Sequence, residues 1–201
     1  GWVGGDQGYL AVTYDGGRNW TRQPLRTNEN VNEIYFRNDD NGYVLAGSRI
    51  YITSDGGRSW RENNIINPND FKGTTPEFLS VRFTGRRKGW IVGSILNRAE
   101  EVVDSLVLHT VDGGETWTRV AVPSKVELYH LDFAGDERGW IVGSRGTILY
   151  TDDEGASWER QGSGTTVNLY NVDFRNSREG LIVGGDGTVL RTENGGFNWQ
   201  K

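Results

Sequence analysis

An eight-residue box, Thr-x-Asp-x-Gly-x-x-Trp, recurs along the chain as TYDGGRNW (Thr13 to Trp20), TSDGGRSW (Thr53 to Trp60), TVDGGETW (Thr110 to Trp117) and TDDEGASW (Thr151 to Trp158). A fifth copy, TENGGFNW (Thr192 to Trp199), carries Asn194 in place of the aspartate. The box tryptophans are 40, 57, 41 and 41 residues apart. Two landmarks keep step with the box. One is an apolar run opening at Gly1, Gly42, Gly89, Gly139 and Gly180; the other is a segment ending at Phe36, Phe83, Phe133 and Phe174, as in LYHLDF. Each repeat then reads as four short strands: A (LYHLDF), B (GWIVG), C (TILYT) and D, which starts at the box tryptophan. All are rich in Val, Ile, Tyr, Trp and Thr and are bounded by Gly, Asn and Asp. A repeat of about 40 residues with four strands predicts a β-propeller blade. No 3.6-residue period supports a helical solenoid.

The fold class expected is therefore all-β, a propeller of four-stranded antiparallel blades with five boxes. The blades fall at about 1–27, 30–66, 76–123, 126–163 and 167–201, the first and last partial, and together they are read as one domain over 1–201. Glycine, 29 of 201 residues, sits at fixed places in the repeat, as many tight turns require.

The box itself reads as a fold clip. In the C-to-D hairpin the aspartates Asp15, Asp55, Asp112 and Asp153 can accept from the turn's own N–H groups, while the glycine takes the positive φ. The threonine can add a side-chain bond. Trp20, Trp60, Trp117, Trp158 and Trp199 are expected to cover the hairpin base, with Trp117 buried. Asn194 should play the aspartate's part in the last box. A motif used five times is a poor candidate for an active site.

Constant lengths mark what the fold fixes, and variable ones where it is free. From box tryptophan to the next strand-A phenylalanine is 16 residues in three repeats but 23 between Trp60 and Phe83. From the second residue of strand B to the box threonine is 10 or 11 in four repeats but 20 between Trp90 and Thr110. These are D–A and B–C loops, which alternating strand direction places on the face opposite the boxes. Insertions gathered on one face of a repeat mark a binding face; drift in tolerant loops would leave the same pattern. On the binding reading, Asn63 to Phe78 and Ile95 to Ser105 form one raised lip. It would offer Asn69, Asp70, Phe71, Lys72, Arg98, Glu100 and Glu101, with Arg49 and Arg145 from the short B–C turns. An arginine cluster there could hold carboxylates bidentately.

Other chemistry is sparse. The chain has no cysteine, so it offers no disulfide, thiolate metal site or cysteine nucleophile. Its formal net charge of -5 argues against a general nucleic-acid binder. No apolar run reaches the roughly 20 residues that span a bilayer, so the chain is not expected to be transmembrane itself. His109 and His130 lack metal-site spacing and read as structural. The Asn19-Trp20-Thr21 sequon overlaps the clip, where its tryptophan should be buried. Asp132 and Asp173 hold equivalent places in consecutive A strands, facing the central channel, and are the one carboxylate pair a glycosidase could use. Neither a metal nor another cofactor is expected.

The boxes resemble the bacterial-neuraminidase or Asp-box repeat, which implies the fold more than any function. The longer patterns GWIVGSRGTILYTDDEGASW and GLIVGGDGTVLRTENGGFNW, preceded by LYHLDF and LYNVDF, are similar to the photosystem II stability and assembly factor family. The resemblance runs through all five repeats. It implies a non-enzymatic propeller, lumenal or periplasmic, that binds a protein partner, a membrane-embedded complex or its subunits, through an arginine-rich surface. It also sets five boxes against the seven blades usual in that family, so the chain reads as a five-bladed ring or as part of a larger propeller. Its start at strand B, its stop just after the last box and its lack of methionine favour the part. The alternative function is a carbohydrate-binding or sialidase-like glycoside hydrolase propeller, for which the usual early Arg-Ile-Pro segment is missing.

Overall fold

The structure, a computed structural model, describes the backbone of residues 1–201 and every side chain but that of Pro68. It divides into two compact units, Gly1–Asp70 and Phe71–Lys201. The first holds two antiparallel sheets. In one, β1 (Trp2–Gly5), β2 (Tyr9–Val12) and β3 (Thr21–Arg22) follow in chain order; in the other, β4 (Val31–Phe36), β5 (Gly42–Ala46), β6 (Arg49–Thr53) and β7 (Arg61–Asn63) do the same.

The second unit holds three sheets of the same kind. They are β8 (Thr75–Phe83), β9 (Gly89–Leu96), β10 (Val102–Thr110) and β11 (Thr118–Arg119), then β12 (Leu128–Ala134), β13 (Arg138–Gly143), β14 (Thr147–Thr151) and β15 (Glu159–Gln161). Last come β16 (Leu169–Phe174), β17 (Gly180–Gly184) and β18 (Val189–Thr192), with Gln200 bridged to Arg191 in the place of a fourth strand. Every sheet is an up-and-down meander following the A, B, C, D order, without A in the first and with only a bridge for D in the last, and each is a blade of a β-propeller.

The repeat is built around one aromatic relay. In each complete A–B pair the strand-A phenylalanine lies over the glycine that opens strand B. A Cβ on Gly42, Gly89, Gly139 or Gly180 would stand 2.5–2.7 Å from the ring of Phe36, Phe83, Phe133 or Phe174, closer than any real contact. The same phenylalanine meets the box tryptophan of its own blade edge-on: Phe36–Trp60 at 5.9 Å, Phe83–Trp117 at 6.0 Å, Phe133–Trp158 at 6.1 Å and Phe174–Trp199 at 5.9 Å. On its other side it takes the strand-B tryptophan of the preceding blade, Trp2 on Phe36, Trp90 on Phe133 and Trp140 on Phe174. Blades are thus joined through ring contacts, with apolar B and C residues filling the space between. Between the second unit's last two blades these are Trp140, Val142, Ile148, Leu169, Val172 and Ile182.

The clip works through its threonine as much as its aspartate. Thr151 Oγ1 donates to Asp153 Oδ1 at 2.7 Å and accepts from Gly155 N at 2.9 Å, while Asp153 Oδ1 accepts from Ser157 N at 2.9 Å. The same set repeats at Thr13, Thr53 and Thr110, and Asn194 reproduces it without a charge, accepting from Thr192 Oγ1 and Asn198 N at 3.0 Å each. Gly155 needs its φ of 77° and also its missing side chain, since a Cβ there would meet the Trp90 indole at 2.3 Å.

Two expectations fail on burial. Trp158 is buried at 5 % exposure, but Trp117 is only partly covered and Trp20, in the sequon, is 45 % exposed. For Trp20 the reason is in the relay: the first sheet has no strand A among the described residues, so no phenylalanine stands against it; Trp117 does have Phe83 edge-on. The third blade's insertion is also less of a loop than its length suggests. Strands β8, β9 and β10 simply run further, with Thr75 and Val102 both paired to Leu96, and only 97–101 remain as a turn.

Candidate functional site

Strand alternation puts the B–C turns and D–A connections on the face away from the boxes, and in the second unit that face carries two adjoining grooves. One, of about 610 Å³, is lined by Asp104, Ser105, Arg119, the 120–125 connection and Arg160. The other, of about 760 Å³, is lined by Arg145, Gly146, Arg160 and the glycine-rich 161–166 connection. Arg160 borders both. Of the charged side chains lining them, Arg119, Lys125, Arg145 and Arg160 are basic, and the one carboxylate, Asp104, is already paired with Arg119 at 2.7 Å. The local field is therefore positive on a chain whose net charge is negative.

Local hydrogen bonds place these residues. Arg145 sits at a left-handed φ of 57° in the β13–β14 turn, and its N–H donates to Asn168 Oδ1 at 3.1 Å. Arg160 lies on β15, where Nη2 donates to Thr147 Oγ1 at 3.4 Å. The floor beside Arg119 is set by Ser105, which donates to Val126 O at 2.6 Å and accepts from Val126 N at 3.0 Å. Planar guanidiniums held this way suit carboxylates, singly or along a peptide.

The residues expected at a lip are dispersed among different settings. Arg145 is in the groove. Arg98, Glu100 and Glu101 are exposed on the β9–β10 turn, which Asn97 organises by accepting from Ala99 N and Glu101 N and donating to Glu101 Oε2. Asn69, Asp70 and Phe71 belong to the 3-10 turn Pro68–Phe71; Asn69, Asp70 and Lys72 are exposed and Phe71 is half-buried. In the first unit Arg49 pairs with Glu62 at 2.9 Å, so its charge is met locally. Sequence reading missed Arg119, Lys125 and Arg160. The signal for two of them is the position two after the box tryptophan, which is basic at Arg22, Arg119, Arg160 and Lys201 and acidic only at Glu62.

The carboxylate pair is not a matched one. Asp132 accepts from Phe174 N at 2.8 Å, so it ties strand A of one blade to the backbone of the next, and burial pushes its carboxyl up. Asp173 is exposed. His130 stands beside Arg82, whose Nη2 donates to its Nε2 at 2.6 Å; burial first, then the Arg82 charge, push the imidazole down to about 4. His109 stacks on Trp90 at 4.8 Å. Among the described residues no group of three or more His, Cys, Asp or Glu is placed to hold a metal ion, and no helix is long and apolar enough to cross a membrane.

Comparison with known proteins gives the lineage. The family model described as photosynthesis system II assembly factor YCF48 matches residues 18–127 and again 120–201. The chain belongs to this family. A photosystem II assembly lipoprotein Ycf48 of Synechococcus sp. (strain CC9902) is 27 % identical over 132 residues, 64 % of this chain and 36 % of that protein. The chloroplastic photosystem II stability/assembly factor HCF136 of Arabidopsis thaliana is 26 % identical over 110 residues, 53 % of this chain and 25 % of that one. The chain thus spans well under half the length of these YCF48-family relatives. Among solved structures, YCF48 bound to D1 peptide matches with a TM-score of 0.50 at 22 % identity, over 99 % of this chain and 76 % of that one. An ancestral GH74 enzyme reaches a TM-score of 0.75 at 16 % identity, over 99 % of this chain and 29 % of that one. At these identities both likenesses speak to the fold alone, and the lineage rests on the family match.

Proposed function

We propose that the chain is a non-catalytic binding scaffold that holds an extended, carboxylate-bearing segment of a photosystem II subunit during assembly. It does so from the periplasmic or thylakoid-lumen side of the membrane. The observation that carries the reading is the pair of grooves joined at Arg160, positive against one already-paired carboxylate. A family relative bound to a D1 peptide supports a peptide as occupant. The contact surface extends from these grooves to Arg98, Glu100 and Glu101 on the β9–β10 turn and to Phe71 and Lys72; Arg49, Asn69 and Asp70 are its counterpart on the first unit. The boxes face away and keep the blades in shape.

The test is binding of carboxylate-bearing D1 peptides, followed by anisotropy. Arg160→Glu is expected to weaken binding by about tenfold or more, as for a central arginine in an interface. Asp153→Asn is expected to leave binding unchanged. Affinity should fall as salt rises, because the attraction is between partly exposed charges. Equal binding by Arg160→Glu would move the partner off this face. Cleavage of sialosides or xyloglucan oligomers by the purified chain would overturn the non-catalytic reading.

A further inference from the structure

Resting on the reading of the grooves as a carboxylate-binding face, we propose that Asp104 is a built-in stand-in for a partner carboxylate, holding Arg119 until the bound segment displaces it. The repeat supplies the comparison. Asp104 and Arg145 are matched positions, each six residues before its box threonine, and Arg119 and Arg160 are matched too, each two after its box tryptophan. The 120–125 and 161–166 connections correspond in the same way, so the two grooves are one cleft built twice. In the fourth blade the matched pair is Arg145 and Arg160, two cations, with no carboxylate among the described residues lining that groove. In the third blade it is Asp104 and Arg119, an acid closed on a base at 2.7 Å.

The third blade's insertion puts the acid there. It lengthens β10, whose pairing with β9 slips between Val102 and Asp104, a bulge with Val103 as the extra residue. A bulge re-aims the side chains beside it. Asp104 reaches across to β11, where its Oδ2 accepts from Arg119 Nη2, while its Oδ1 accepts from Ser105 N at 3.0 Å. Arg119 Nη2 also donates to Ser105 O at 3.4 Å. The contact Asp104 makes is the charge-assisted one that an incoming carboxylate would make with the same guanidinium.

The pair is placed to open. The Arg119 side chain is 45 % exposed and that of Asp104 36 %, and an ion pair so open to water holds weakly. Arg160 lines the same groove as Arg119, so a segment anchored on Arg160 presents its next carboxylate to Arg119 at high effective concentration. The consequence is selection. A segment with one carboxylate is held at Arg160, and only a segment with a second one gains by displacing Asp104. The groove therefore favours partners rich in carboxylates over those with a single acid.

The experiment titrates the chain into labelled hexaglutamate, with hexaglutamine as the uncharged control, and reads anisotropy. Asp104→Asn is expected to bind hexaglutamate about three- to tenfold more tightly than the parent, with a melting temperature within about 2 degrees of it. Adding Arg119→Gln to Asp104→Asn should remove the gain. Asp136→Asn, which takes the same charge from the A–B turn beside the fourth box, should show no gain. Weaker binding by Arg160→Glu with no gain in Asp104→Asn would leave the grooves as the binding face and overturn the stand-in alone. A gain that needs Arg119, in a protein where Arg160→Glu binds like the parent, would keep the stand-in and move the anchor off Arg160. An equal gain from Asp136→Asn would make the effect one of net charge, and a larger fall in melting temperature would assign the pair to the fold; either overturns the stand-in. Failure of hexaglutamate to saturate both the parent and Asp104→Asn would overturn the stand-in and the carboxylate-binding face together.

Discussion

The indole of Trp140 lies flat on the ring of Phe174, centroids 3.4 Å apart and planes 10° from parallel, so a strand-B side chain of one blade is the seat for strand A of the next. Trp140 is fully buried. Trp140→Ala should cost about 3–5 kcal/mol, the range for emptying a buried aromatic site. Trp20→Ala, at the one box tryptophan with no phenylalanine against it among the described residues, should cost no more than about 1 kcal/mol. Paired urea melts at one temperature check both, and equal losses would refute the relay as the unit of stability.

The box threonine is expected to matter more than the box acid. Thr151 is 2 % exposed and its Oγ1 serves both Asp153 and Gly155 N. Thr151→Val keeps the shape and strands that buried N–H, at a cost of about 1–3 kcal/mol. Asp153→Asn should be close to neutral, since Asn194 already does the same work in the last box. A midpoint shift larger for Asp153→Asn than for Thr151→Val would reverse this assignment.

Much of this was legible in the sequence because the repeat averages out accident. Five copies of one box fix strand order and turn positions, and the constant seven residues from box threonine to tryptophan reflect a turn in which the threonine and aspartate side chains accept the N–H groups of the third, fifth and seventh box positions. Burial was not legible to the same degree. Trp20 and Trp158 occupy identical places in the motif, yet their exposure depends on whether a strand-A phenylalanine stands beside them, which is a property of the neighbour. The grooves were half-legible. Their face followed from strand alternation, but Arg119 and Arg160 stand on D strands of only two and three residues, too short to show a period. Arg49 looked like Arg145 in sequence; Glu62 on the neighbouring strand neutralises one, while the other faces a groove.

The boxes set the acid limit of the fold. Hydrogen bonds from Asn19, Ser59 and Thr116 hold Asp15, Asp55 and Asp112 at about 2 in the folded state, below the usual range. A depressed folded value means stability that is fully present above the unfolded value of about 3.9 and lost as pH falls towards 2. Denaturant midpoints should therefore drop steeply between pH 4 and 2. Replacing Asp15 and Asp55 by asparagine together should flatten that drop, and an unchanged slope would place the acid sensitivity elsewhere.

A separate slope is expected higher up, from His130. Its folded value of about 4 lies below the unfolded value of about 6.5, so between those limits the unfolded chain binds a proton that the native chain does not. Stability must then fall as pH drops through that window, by up to roughly 3 kcal/mol for a shift of this size. Arg82 beside the ring opposes its charging, while the Val172 N–H meets Nδ1, and Asp132, two residues along the same strand, is pushed up by burial. A carboxyl raised on folding contributes stability at low pH that is lost as pH rises, so it works against the histidine. Asp132→Asn should therefore steepen the decline from pH 6.5 to 4, and His130→Gln should remove it. A decline that persists in His130→Gln would assign the proton to another site.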